Sequence, residues 1–267
     1  MVRAVVAGIA GRMGSRIAQL IRETEGIELA GGFEHPQHPQ VGKEVSQILG
    51  GNPTGLTVSG TMDDVLGAAD VVIDFTSAAV SLSHLRAASQ AGKAMVIGST
   101  GFTAEQLAEA RQLAAKTACV LTPNMSMGVN ILFKLVADAA RLLGDSFDVE
   151  IIEAHHRLKK DAPSGTALKL AQVVAESLQR NLEEVGVYAR HGLIGERTPK
   201  EIGIQTVRGG DIVGEHTVLF AGMGERIELS HRAHSRDNFA RGAIHAAQWV
   251  VKQPAGLYDM QQVLGIQ

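Results

Sequence analysis

The chain has 267 residues, a formal net charge of −3, 45% hydrophobic and 20% charged residues, and a single cysteine. That balance excludes a disordered chain and a disulfide framework, gives no bulk attraction for nucleic acid, and suits two domains better than one.

The opening run from Met1 reaches Gly8 too soon for a secretory signal, and no apolar stretch is long enough to span a bilayer. The expectation is a cytoplasmic protein with no membrane or nucleic-acid partner. Ala4 to Ala7 is a short apolar run that reads as a buried strand. Behind it Met13, Ile17, Leu20 and Ile21 recur at helical spacing. Ile27 to Phe33 is a second strand, and Glu34 to Gly60 is a polar, proline-containing excursion rather than a linker. Ala69 to Phe75 gives a third strand, followed by a helix through Leu82, Leu85 and Ala88. Ala94 to Ile97 is a fourth strand. Thr103 and Gln106 then form a capping-box pattern that starts a helix. Ala118 to Leu121 is a fifth strand, where Cys119 reads as a buried residue rather than a nucleophile. Alternating strand and helix implies a parallel sheet covered on both faces.

The pattern changes after about Asn124. Val129 to Leu143 is one helix, with Leu132, Leu135, Val136, Ala139 and Leu142 on its apolar side. Phe147 to Ala154 is strand-like, and Thr166 to Leu178 is helical. Strands follow one another from Ile202 to Ala233, where Ile227, Leu229, His231 and Ala233 alternate with polar residues as on an antiparallel sheet. Asn238 to Val251 is a last helix. The expected fold is α/β: a Rossmann-type doubly wound parallel sheet plus a second α+β domain with an open mixed sheet. The expected boundaries are 1–126 for a dinucleotide-binding domain, 127–235 for a substrate-binding and oligomerisation domain, and 236–267 for a C-terminal return onto the first.

Two segments carry chemistry. Gly8-Ile9-Ala10-Gly11-Arg12-Met13-Gly14 lies between a strand and a helix, where glycines let a pyrophosphate approach backbone N–H groups at a helix N-terminus. The spacing is G-x-x-G-x-x-G, and by itself it would also fit a packing turn. Glu34 follows Gly14 by twenty residues and ends the second strand, where an acid can accept hydrogen bonds from an adenosine ribose. Together they favour a dinucleotide site.

The second segment is Glu153 to Ala167, with His155, His156, three basic side chains, and a Pro163-Ser164-Gly165 break before Thr166. His155 suits acid–base work, Lys159 can hold an anion or deliver a proton, and the N–H groups of Gly165 and Thr166 can hold a carboxylate. A metal bound by Glu153 and the histidines is disfavoured, because neighbouring strand residues point to opposite faces. Gly98 to Gly101 and Thr122 to Met125 each follow a strand, where doubly wound sheets collect ligands and where turn chemistry alone is the plain alternative. His231, His234 and Arg236 cluster later and are left outside the site.

Gly8 to Gly14, Ile73-Asp74-Phe75-Thr76, Gly98 to Phe102, Gly210 to Thr217, Gly224 to Arg226 and above all Glu153 to Ala167 make the chain resemble the 4-hydroxy-tetrahydrodipicolinate reductase (dihydrodipicolinate reductase) family over nearly its whole length. The resemblance implies reduction of the cyclic product of dihydrodipicolinate synthase, a dicarboxylate, by NADH or NADPH, in a homotetramer built through the second domain. It implies that His155 is the acid–base residue and Lys159 the proton donor. His156, Lys159, Ser164, Gly165 and Thr166 would hold substrate. Gly8, Ile9, Ala10, Gly11, Arg12, Met13, Glu34, Gly98, Ser99, Thr100, Thr122, Pro123, Asn124 and Met125 would hold the dinucleotide, and no metal is implied.

The chain departs from some relatives in having His35 after the acid and Ser77 after the Asp-Phe-Thr triplet, where they carry Arg. That bears on cofactor preference and leaves NADH as the expected better donor. Two other readings share parts of the pattern: another two-domain nicotinamide dehydrogenase, or a redox sensor that binds the dinucleotide without turnover. The first has no reason to carry the His155 to Thr166 loop, and the second would need a nucleic-acid or protein contact surface, for which no basic helix is evident.

Overall fold

A computed structural model describes residues 1–266. In chain order the first elements are β1 (Val2–Ala7), α1 (Arg12–Ile21), β2 (Ile27–Phe33), α2 (Ser46–Leu49), α3 (Asp63–Leu66), β3 (Val71–Asp74), α4 (Ala78–Gln90), β4 (Ala94–Ile97), α5 (Ala104–Ala114) and β5 (Ala118–Leu121). Then come α6 (Met127–Leu143), β6 (Asp148–His155), α7 (Gly165–Ser177), α8 (Leu182–Val185), β7 (Gly186–Val187), β8 (Ile202–Arg208), β9 (Gly214–Ala221) and β10 (Arg226–Ala233). The chain ends through α9 (Asp237–Val250), β11 (Gly256–Tyr258) and α10 (Met260–Val263).

The chain divides into two compact units, one of Met1–Met127 with the segment from Asp237 onward, the other of Gly128–Arg236. The first holds a parallel sheet in the order β11-β5-β4-β3-β1-β2. Its central strands β4 and β5 are continuous apolar runs, and β1 and β3 nearly so, because both faces are covered. Ala4 and Val6 of β1 join a core with Ile17, Leu20 and Ile21 of α1 and Ala243 and Ala247 of α9. Val5 and Ala7 point the other way, toward Leu82 and Leu85 of α4 and Ala110 of α5. Cys119 is buried in that second core. The chain runs from β1 to β2 on one side and returns to β3 on the other, so the order reverses at β1. Ligands of doubly wound sheets lie beyond the strand carboxyl ends at such a reversal.

The 34–60 excursion is tied down by Glu44, which accepts the Ser46 and Thr54 amides at 2.6 and 2.7 Å. The capping box at α5 forms in full: the Thr103 hydroxyl takes the Gln106 amide, and the Gln106 side chain takes the Thr103 amide.

The second unit holds a five-stranded mixed sheet in the order β10-β9-β6-β8-β7. Helices α6 and α7 cover one face, burying Val129, Leu132, Phe133 and Val136 against Val149, Ile151, Ile204, Val218 and Phe220. Two readings of the sequence need correction. Leu135 and Leu142 of α6 lie off the core side, at 48% and 86% exposure, because the buried stripe runs through Val129, Leu132, Phe133, Val136 and Ala140. The apolar alternation of β10 suggests an open, oligomer-forming face around Ile227 and Leu229, but these residues do not lie on the open face. They stand opposite Phe220 and Val218, and directly opposed residues share a face, so they point to the helix-covered side and Leu229 packs on its core. The uncovered face carries Ile152 of β6 and Val207 of β8, exposed by 40% and 47%.

Candidate active site

At the carboxyl end of β1, Gly8 adopts φ +63°, a conformation glycine takes without strain. The Gly11 amide donates to the Gly8 carbonyl at 2.9 Å. Helix α1 then passes so close that a Cβ on Gly14 would sit 2.0 Å from the Gly8 oxygen. Gly11 caps α1 without any side chain over the first amides, so the helix start remains open to an anion. Glu34, just past β2, accepts the Ala10 amide at 2.7 Å, so one carboxylate oxygen braces the turn itself.

Past β3, the buried Asp74 accepts the Thr76 amide and hydroxyl at 2.8 and 2.7 Å and faces His84 Nδ1 at 2.6 Å. Burial alone would raise this carboxyl, but the His84 and Thr76 donors hold it below the ordinary range. A Cβ on Gly98, past β4, would strike the Phe75 ring at 2.2 Å. Ser99 is buried against the Ser81 hydroxyl at 2.7 Å, while Thr100 is exposed. Past β5, the Thr122 hydroxyl donates to the Asn124 carbonyl at 3.3 Å, and the Asn124 side chain accepts the Ser126 amide at 2.9 Å.

The four segments expected to hold a dinucleotide therefore follow β1, β2, β4 and β5, at the carboxyl ends of four parallel strands of one sheet. Within them Ile9 and Met125 send their side chains into the core, so only their backbones face that edge. The glycine cradle, the open helix start and the acid fit a dinucleotide.

In the second unit the site is built around Glu153. It is fully buried and shares one face of β6 with His155, because residues two apart on a strand point the same way. Its oxygens take His155 Nδ1 at 2.6 Å, the Ser164 amide at 2.9 Å and both Nη atoms of Arg208 at 2.8 Å. Burial pulls this carboxyl upward, but Arg208, His155 and the Ser164 amide outweigh it and bring it to about 2. An ionised acceptor requires the hydrogen of His155 on Nδ1, leaving Nε2 with a lone pair. That nitrogen lies 3.0 Å from where a Cβ on Gly214 would be, so glycine keeps its approach clear. Burial lowers the His155 imidazole; Glu153 draws it back up, and Lys159 and Arg208 add to the lowering.

Around this centre, Lys159 Nζ meets both oxygens of the exposed Asp161 at 2.9 Å. Ser164 caps α7 by accepting the Ala167 amide at 3.2 Å, and its hydroxyl also lies 3.0 Å from His216 Nε2. Gly165 opens α7, where an amide has no carbonyl within the helix to meet, and Thr166 follows it. His156 points elsewhere. It lines a cavity of about 360 Å³ with Arg157, Gly210, Asp211 and Arg236, and its buried Nδ1 lacks a partner. The structure thus gathers His155, Lys159, Ser164, Gly165 and Thr166 on one loop and sets His156 in an adjoining cavity.

Arg208 lies outside every motif read from the sequence, and His216 lies within the Gly210 to Thr217 run with no role attached to it. They reach the site because β8 sets Arg208 beside His155 and β9 sets His216 beside Glu153.

Residues 2–125 match the family model described as dihydrodipicolinate reductase, N-terminus, and residues 128–264 match its C-terminal counterpart. A 4-hydroxy-tetrahydrodipicolinate reductase of Syntrophobacter fumaroxidans is 75% identical over 266 residues, covering 100% of both chains. One from Syntrophus aciditrophicus is 57% identical over 265 residues and 99% of each chain. Among solved structures, a dipicolinate-bound dihydrodipicolinate reductase from Paenisporosarcina sp. TG-14 aligns with a TM-score of 0.78 and 28% identity over 98% of each chain.

Proposed function

The chain belongs to the dihydrodipicolinate reductase family, and from that premise we propose that it reduces 4-hydroxy-tetrahydrodipicolinate to tetrahydrodipicolinate, in the cytoplasm, as a step of lysine and diaminopimelate biosynthesis. The observation that carries this reading is the buried Glu153, which holds the Nδ1 side of His155 and the amide of Ser164, the N-cap of α7, at the same time. One carboxylate thereby sets an imidazole beside a helix start suited to a substrate carboxylate.

The substrate loses water to give a conjugated imine. A nicotinamide cofactor, when bound, supplies hydride to ring carbon 4. The resulting enamine takes a proton at carbon 3. We assign that proton to Lys159, whose ammonium would exchange Asp161 for a substrate carboxylate. His155 is the acid–base residue, with its free Nε2 exchanging protons beside Gly214. The amides of Gly165 and Thr166 hold a substrate carboxylate, with the Ser164 hydroxyl capping the helix beneath them and His156 meeting the substrate only from the adjoining cavity. A positioned proton-transfer group typically contributes roughly 10²–10⁴-fold. The dinucleotide rests on the Gly8 to Met13 turn, on Glu34, and on the 98–100 and 122–125 segments. NADH is the better donor and NADPH the poorer.

We also assign a homotetramer to the protein, joined through the open face of the second sheet, where Ile152 and Val207 are exposed. An assay that supplies the synthase product and follows nicotinamide oxidation with each cofactor tests the reading. Oxidation with neither cofactor would sink it, whereas a dinucleotide-binding sensor would bind without turnover.

A further inference from the structure

Arg208 is engaged on two sides. Both Nη atoms lie 2.8 Å from the Glu153 oxygens, one on each. Nη2 also donates to the Asp161 carbonyl at 2.7 Å, and Nη1 to the Val207 carbonyl at 2.7 Å. The first contact bears on His155, which sits on the same Glu153 carboxylate. The second bears on the loop that carries Lys159, two residues before Asp161.

An ionised carboxylate with no solvent exposure is tenable only with a matched cation and filled lone pairs. Without the guanidinium, the Glu153 carboxylate loses the two donors that fix its rotation, and nothing would dictate which ring nitrogen of His155 bears hydrogen. The planar fork suits both contacts at once, which an ammonium cannot match.

We propose that Arg208 is a positioning residue of this active site, fixing the tautomer of His155 through Glu153 and the placement of the Lys159 loop through the Asp161 carbonyl. The proposal rests on the acid–base role assigned to His155 above.

It carries a consequence for pH. The charged or titratable groups facing His155 are Glu153 on its own strand, Arg208 from β8, His216 from β9 and Lys159 from the loop. Arg208 is one of the two cations that lower the imidazole. Removing it should move the acid limb of the kcat/KM profile to higher pH. A residue that merely braces the sheet would not move that limb.

The experiment compares the whole enzyme with Arg208→Ala and Arg208→Lys, with melting temperature and cofactor binding checked first. In Arg208→Ala, kcat should fall by roughly 10²-fold, as for a misplaced catalytic group. KM should change less, the acid limb should rise, and millimolar guanidinium should restore part of the turnover. In Arg208→Lys the limb should stay near its original place while kcat remains low. If Arg208→Ala does not fold, the lysine variant carries the test, and full kcat in it would overturn the proposal. So would a folded Arg208→Ala with normal kcat, or one with low kcat, an unmoved limb and no response to guanidinium. His155→Gln, run alongside, separates the two ideas. Normal turnover there removes the role of His155 itself. An inactive His155→Gln with an unaffected Arg208→Ala removes only the positioning role.

Discussion

The Ser164 hydroxyl and the His216 imidazole meet at 3.0 Å across 52 residues of chain, inside the second unit and out of reach of water. Burial lowers His216 from 6.5 to about 4, with the neighbouring His155 adding to the shift and Glu153 opposing it. Between those values the unfolded chain holds a proton that the folded one refuses, so stability falls as pH drops from about 6.5 toward about 4. The loss is on the order of 3 kcal/mol. Glu153 acts in the next window down. Its folded carboxyl sits at about 2 against 4.5, so its contribution is complete above 4.5 and disappears as pH falls through about 2. His216→Gln should flatten the upper window. Melting temperatures at pH 7.5 and pH 5 should differ less in the variant than in the parent, and equal drops would count against this account.

His155→Gln should lower kcat by orders of magnitude while KM changes little, because proton transfer belongs to the transition state. Lys159→Ala should affect both constants. The lost charge-assisted contact with substrate is worth about 1.5–3 kcal/mol. Steady-state kinetics on both variants decide it: near-normal turnover in the first, or an unchanged KM in the second, would mean that the 155–166 loop faces something other than substrate.

The glycine turn allows a test that contrasts two sites. At Gly14 a methyl group would sit 2.0 Å from the Gly8 carbonyl, so Gly14→Ala must push α1 away from β1. Gly67 has open space around it and an ordinary φ of −59°. Gly67→Ala should be neutral or stabilise by about 0.4–1 kcal/mol through the unfolded state. Cofactor titration by fluorescence should show binding lost in the first and kept in the second. Retained binding in Gly14→Ala would mean that the dinucleotide does not use this turn.

The first unit was the more legible of the two, for a physical reason. A parallel sheet covered on both faces writes itself as apolar runs, so β2, β4 and β5 begin and end where the runs do. The helix α6 was legible as a helix but not in its orientation. Leucines fall on two sides of it, and the packed side is decided by the sheet beneath. The same limit applied to β10. Alternation shows two faces, while strand pairing decides which is covered, and Ile227 follows Phe220 to the helix side. The loop from His155 to Thr166 was readable because its chemistry is contiguous. Arg208 and His216 were not, since only β-sheet register brings them to Glu153.

Assembly should depend on the uncovered face of the second sheet. Ile152 and Val207 stand out from it on neighbouring strands, two residues apart in register, with Ile152 opposite Gln205 and Val207 opposite Ala154. Replacing both with lysine places charge on a face expected to be covered. Light scattering at micromolar concentration should report a tetramer for the parent and smaller species for the double variant. A monomeric parent would refute the assignment.

Cofactor choice should follow the charge beyond β2. Glu34 uses one oxygen on the Ala10 amide at 2.7 Å, leaving the other to accept from a ribose hydroxyl. A 2′-phosphate would bring roughly two negative charges toward that carboxylate. Compensation close by is weak. His35 spends Nδ1 on the Gln37 amide at 3.3 Å, and Ser77, just ahead of α4, is short and uncharged. Arg12 and Lys43 are exposed cations of the same region. The expected result is a higher kcat/KM with NADH than with NADPH. His35→Arg supplies a fork that grips phosphate oxygens, so it should shift the ratio toward NADPH by about tenfold, equivalent to about 1.4 kcal/mol. The measurement is the ratio of kcat/KM for the two cofactors in the parent and the variant. A clear NADPH preference in the parent would overturn the role given to Glu34 and His35 and leave the reductase reading untouched.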